Sequence, residues 1–322
     1  LMKLRLLSAV VVTILALLPT TSVWSGEADF GLRSGLRQDD LRWSIGGGGL
    51  DVLSELHWND LEIFQVQGYG HYVWKRPRGA FDVALRASAG YGWIIDGENR
   101  DSDYAGPDRG DEWSRSENAA DKGEVFDLSL AGGPQFPLAS GRLRITPLLG
   151  YSYHAQNLTL HDGVQVLSEQ DLADQFFGAG EVTVPALGPF PGLDSTYETQ
   201  WHGPWTGVEM VFSPVERFSL AGRLELHLVD FRAEANWNLR SDMQHPKSFV
   251  QEATGYGLVG EVTGKYALDS RWGLELVLAY GDWRAEDGTD LIYLTDGTVA
   301  STRLHEVCWT SLALNLGLVF RY

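Results

Sequence analysis

From Ser311 to Tyr322 the chain alternates without a break. Leu312, Leu314, Leu316, Leu318, Phe320 and Tyr322 fall on one side of the backbone, and Ser311, Ala313, Asn315, Gly317, Val319 and Arg321 on the other. A period of two is that of a strand, whose successive side chains point to opposite faces. The same pattern sets Trp272, Leu274, Leu276, Leu278 and Tyr280 against Gly273, Glu275, Val277, Ala279 and Gly281. It sets Phe218, Leu220, Leu224, Leu226 and Leu228 against Ser219, Arg223, Glu225 and His227, and Phe81, Val83, Leu85, Tyr91 and Trp93 against Asp82, Arg86, Ser88 and Gly92. Such ribbons have two outlets. In a water-soluble sandwich the apolar face turns inward; in a transmembrane barrel it meets lipid, and the polar face lines the interior.

Several features favour the barrel. Many candidate strands reach ten residues, enough for a tilted crossing. Aromatic residues gather near strand ends (Tyr72 and Trp74, Tyr91 and Trp93, Tyr151 and Tyr153, Tyr280 and Trp283), as interfacial girdles do. Short turns at Lys75–Gly79, Leu138–Gly141, Ser213–Glu216 and Leu268–Arg271 alternate with long polar loops at Asp96–Gly123, Ser168–Ser195, Arg240–Gln251 and Glu286–Arg303, plus a short Gly-rich connection at Gly46–Leu53. Ten strands are predicted, near 28–45, 54–74, 80–95, 124–137, 142–167, 196–212, 217–239, 252–267, 272–285 and 304–322, with both ends of the barrel domain on the periplasmic side. Hydrocarbon demands closure, because an open sheet edge would leave backbone groups unpaired. Arg86, Arg144, Arg223, Glu225, His227, Lys265, Glu275 and Arg321 are expected to face a narrow lumen and compensate one another.

Residues 1–25 read as a secretory signal, with Lys3 and Arg5 before the apolar run Leu6–Leu18 and a small-residue end at Ser22–Ser25. Residues 26–322 form the expected single barrel domain. Its closing amphipathic strand, with Tyr322 last, resembles the assembly signal of bacterial outer-membrane proteins. The net charge of −18 argues against nucleic acid as a partner, since phosphate binding needs clustered cations. Cys308 is the sole cysteine, so no intramolecular disulfide or cysteine zinc motif exists. No cofactor and no metal are expected. The expected partners are outer-membrane lipid, lipopolysaccharide included, and an extracellular peptide or protein bound by a monomer.

The layout of ten strands, Ser54–Trp58 ("SELHW") entering the second strand and Asp101–Tyr104 ("DSDY") after the third together resemble the omptins, outer-membrane proteases of Gram-negative bacteria. The chain is also similar to barrels grouped with the Protochlamydia outer-membrane protein domain. Resemblance to the omptins implies an Asp-x-Asp-aromatic facing an Asp-x-His near the top of the seventh strand, with water activated between them. Asp101, Asp103 and Tyr104 match the first half. In the family's register Glu234 keeps a carboxylate while Asn236 and Asn238 stand where the Asp and His belong, and an amide cannot take a proton from water. Asp242 and His245 offer a substitute, but their spacing of three sends extended side chains to opposite sides. His227 beside Glu225 reads as a packed lumenal pair and His305 carries no signal.

The expectation is therefore an all-β, ten-stranded antiparallel transmembrane β-barrel of omptin-like type, non-proteolytic, whose acidic loops serve binding or adhesion. The rival is an endopeptidase using Asp101, Asp103, Asp242 and His245 and cutting beside basic residues; the third reading is a narrow channel.

Overall fold

The computed structural model describes residues 26–76 and 80–322. The expected leader, residues 1–25, and part of the first short turn, residues 77–79, lie outside the described residues.

Among the described residues twelve strands follow one another: β1 (Gly26–Gly47), β2 (Leu50–Trp74), β3 (Asp82–Tyr104), β4 (Glu112–Ala119), β5 (Gly123–Leu138), β6 (Leu143–Ser168), β7 (Gly188–Pro189), β8 (Asp194–Val215), β9 (Phe218–Asn236), β10 (Phe249–Ala267), β11 (Trp272–Tyr293) and β12 (Val299–Arg321). One helix, α1 (Gln170–Phe177), lies between β6 and β7. All pairings are antiparallel, and β1 pairs with β12 from Asp29↔Arg321 to Gly46↔Arg303, which closes the ring.

The ring has ten strand places. β4 and β5 share one of them: the upper part of β3 pairs with β4 and the lower part with β5, and β6 does the same from the other side. The seam between them falls at Gly123, whose φ of 137° is open to glycine, and where an added Cβ would stand 2.1 Å from the Asn157 carbonyl oxygen.

The alternation settles which face meets lipid. Leu312, Leu314, Leu316 and Leu318 are 50–68% exposed, whereas Asn315 between them is 4% exposed. Leu220, Leu224, Leu226 and Leu228 on β9 and Leu274, Leu276 and Leu278 on β11 are likewise exposed. No second sheet covers them among the described residues, so the apolar band is a lipid-facing one. The lumenal residues expected from the sequence do line an internal cavity.

Two expectations need correction. Trp283 is not part of a lipid-facing girdle: it stands three residues from the outward Tyr280, so the pleat turns it inward, and it is 2% exposed. The long loops are also shorter than expected. Most of Asp96–Gly123 is a hairpin of β3 and β4, and most of Glu286–Arg303 is a hairpin of β11 and β12 turning at residues 294–298. Above the lipid band the wall is wet on both sides, so polar residues occupy both faces and the apolar period vanishes while the strand continues.

The interior is layered. Nearer the end with the long connections (the rim), Trp43, Trp58, Tyr197, Trp201, Phe231, Phe249, Trp283 and Trp309 form a buried aromatic layer across the lumen. Trp283 and Trp309 stack with ring centres 5.2 Å apart, and Trp58 and Tyr197 at 5.0 Å. Nearer the end with the short turns, Gly26 and Tyr322 (the base), the filling is ionic: Arg33 and Arg223 each reach Glu261 at 3.1 Å, Arg223 reaches Glu225 at 2.6 Å, and Lys265 reaches Glu275 at 3.7 Å.

Candidate functional site

β3 outlasts the lipid band. Its last exposed apolar residue is Ile95, and the outward positions beyond carry Glu98 and Arg100. Asp103 lies eight residues further on, about 20 Å above the band for a strand rising about 3.4 Å per residue at a tilt of about 40°.

A phase change at Gly97 turns the odd-numbered residues inward. Asn99 is buried and accepts a 2.9 Å hydrogen bond from the Asn118 amide across the β3–β4 pair. Asp101 and Asp103 follow on the same face. Asp103 pairs in register with Ser54 of β2 and Ser114 of β4, whose hydroxyls donate to its carboxylate. Above them Ala105 and Trp113 pack against Leu172, Ala173 and Phe177 of α1, so the helix rests on the wall just over the two acids.

Burial is the main force on both carboxyls. It pushes Asp103 up to about 6, and it pushes Asp101 well above the usual carboxylate range, with the Asp103 charge adding to the effect. Opposing it are the Ser54 and Ser114 hydrogen bonds at Asp103 and, for both acids, Arg240 from the β9–β10 connection, whose guanidinium lies close enough to draw them back down. Arg240 is itself fixed by a forked pair of hydrogen bonds to Asp242, at 2.9 and 2.7 Å. That contact holds the Asp242 carboxyl below its ordinary range.

The acid pair therefore faces a guanidinium. Asp242 joins this group through Arg240. His245 does not: its Nδ1 lies 2.8 Å from the Asn236 amide oxygen, and among the described residues no hydrogen bond or ion pair links it to Asp101, Asp103 or Asp242.

The positions taken from the omptin register are displaced as well. On β9 the inward side chains are Phe231, Ala233 and Ala235, all buried, so Glu234 and Asn236 point outward. Glu234 makes ion pairs of 3.9 Å with Arg232 and 3.8 Å with Lys247 on that outer face. Asn238 accepts from the Asp194 backbone N–H at 2.9 Å and donates to the Gly192 carbonyl at 2.7 Å, which ties down the start of β8. Arg240 is the site residue that sequence reasoning misses. Its one signal is the Arg-x-Asp spacing with Asp242, two positions apart in a turn that the Met243 N–H closes on the Arg240 carbonyl at 3.0 Å.

A family model, the Protochlamydia outer membrane protein, matches residues 31–322. The chain belongs to that family. Among solved structures it is similar to the outer membrane protease OmpT from Escherichia coli, with a TM-score of 0.71 and 15% identity over 94% of this chain and 99% of that one. That likeness shows the fold. A major outer membrane protein from Thermus thermophilus aligns at a TM-score of 0.37 and 10% identity over 92% of this chain and all of the other, too low to bear on the argument. No curated protein matches. Members of this family are outer-membrane proteins, and the exposed apolar band places this chain in the outer membrane as a β-barrel.

Proposed function

We propose that this barrel is a non-proteolytic surface protein whose extracellular rim binds cationic segments of other polypeptides. One observation carries the reading: where hydrolysis by activated water would need a base opposite Asp101 and Asp103, the chain supplies Arg240, held by Asp242. A guanidinium stays protonated at any working pH and cannot accept a proton from water. What remains is an acidic cleft facing an internal cation that Asp242 holds.

The surroundings agree. Residues 168–195 contain five carboxylates and no Lys or Arg, so the field around the cleft attracts cations. The aromatic layer below it favours a sealed lumen over the channel reading.

The test uses purified barrel in detergent with lipopolysaccharide and a labelled dibasic peptide. Salt-sensitive binding with the peptide intact is expected, weakened by Asp101→Asn and strengthened by Arg240→Gln, which removes the internal competitor. Efficient cleavage that disappears in His245→Ala would establish the endopeptidase instead. Steady single-channel conductance in planar bilayers would establish the pore.

A further inference from the structure

Beneath the aromatic layer lies a cavity of about 230 Å³. A second, of about 370 Å³, opens at the base beside Arg217 and Tyr322. The two share Asp29, His71, Gln135, Arg144, Ser219 and Arg321 in their linings, so these residues form the neck between them.

Cations elsewhere along this lumen have acidic partners. Arg37 is gripped by Asp39 and Asp127, Arg86 by Glu209, Arg223 by Glu225 and Glu261, and Arg321 stands 3.7 Å from Asp29. Arg144 differs. On β6 it sits two residues before the buried Thr146, on the lumenal face, and among the described residues its side chain has no ion pair and no hydrogen bond. Beside it, the buried Nε2 of His71 has no hydrogen-bond partner among the described residues, and the Arg86–Glu209 pair and Lys265 lie around the same imidazole. A half-buried cation without a counter-ion, next to an unsatisfied ring nitrogen, is costly in a low-dielectric interior. An anion with several oxygens would satisfy both.

We propose that this neck is a binding site for a small oxyanion of the phosphate class, entering from the base and held by Arg144 and His71. Arg144 offers a planar fork of donors matched to such an anion. The site is independent of the rim.

The experiment titrates inorganic phosphate into the purified barrel, in non-ionic detergent free of phospholipid, followed by calorimetry. Saturable 1:1 binding is expected, with Arg144→Gln weakening it at least tenfold and Arg144→Lys retaining a measurable part. Each variant is checked for folding by the heat-dependent gel mobility of barrels. Absence of saturable binding to the unaltered protein, or equal binding by folded Arg144→Gln, overturns the proposal. So does a parallel arm in which phosphatidylglycerol binds at this neck and inorganic phosphate does not, since the ligand would then be a lipid headgroup.

Discussion

Replacing Asp103 by Asn should make the barrel more stable near neutral pH, and by an amount that depends on pH in a defined way. An aspartate in the unfolded chain titrates near 3.9, whereas in the fold burial holds Asp103 at about 6. Between those values the folded state keeps a proton that the unfolded state has lost, so stability falls as pH rises. The contribution is fully present below about pH 4 and gone above about pH 6. Two pH units at about 1.36 kcal/mol each set a ceiling of about 3 kcal/mol, which screening at the partly open rim reduces. Asparagine has no such dependence. The stability of Asp103→Asn minus that of the unaltered barrel should therefore climb by about 1–3 kcal/mol between pH 4 and pH 7. The Ser54 and Ser114 hydroxyls temper the cost first and Arg240 adds to them, so in an Arg240→Gln background the climb should be larger and extend to higher pH. The assay is reversible urea unfolding in lipid vesicles, read by tryptophan fluorescence at several pH values, with the variant always compared at the same pH so that titrations outside the Asp101–Asp103 pair cancel. A flat difference curve, or one that descends with pH, would refute the account of Asp103 as a carboxyl destabilised by burial.

Two further perturbations test the architecture. Leu316→Arg places a charge on a side chain that is 68% exposed on the lipid face, and should cost about 2–4 kcal/mol if it sits near mid-bilayer; the same assay measures it, and a cost near zero would mean the leucine faces water. Trp283→Ala removes a buried ring stacked on Trp309 and touching Trp201, His154 and His227; it should cost about 3–5 kcal/mol in the same unfolding experiment, and a surface-like loss below about 0.5 kcal/mol would contradict its place in the layer.

The strands are legible wherever lipid imposes an apolar face. Leu312 to Tyr322 can hardly be read another way, and the ten strand places follow from such runs together with the turns between them. Legibility stops at the membrane surface. Glu98 and Arg100 face outward and Asn99, Asp101 and Asp103 inward, so a strand segment carries the composition of a loop. Trp283 is misplaced for a related reason: an aromatic at a strand end is equally at home in a girdle or a lumenal layer, and its parity relative to Tyr280 decides between them. The acid half of the candidate site is visible because its two residues are neighbours in one strand. The other half is not, because which residue of a connecting segment turns back over the cleft depends on its path rather than on periodicity, and Arg240 has only the look of a loop's first residue.

The phase of β9 explains why a residue-for-residue comparison with the omptins misleads at that strand. Ala233 and Ala235 occupy the inward positions, so an Asp and a His installed at Glu234 and Asn236 would face the outer surface, beside Arg232 and Lys247. Position 240 is different. A histidine there would sit next to Asp242, which already holds the side chain at that position, and across from Asp101 and Asp103. If charge type is what separates this cleft from a hydrolytic one, Arg240→His should introduce measurable cleavage of a dibasic peptide, with a share of the roughly 10²–10⁴-fold that a positioned general base supplies. The Glu234→Asp, Asn236→His double variant should introduce none. Mass-spectrometric detection of peptide products over long incubation distinguishes them. Cleavage by the double variant but not by Arg240→His would show that the inward and outward faces of β9 are assigned the wrong way round. Silence from both would show that replacing the fixed cation by an imidazole is not enough to activate water between these walls.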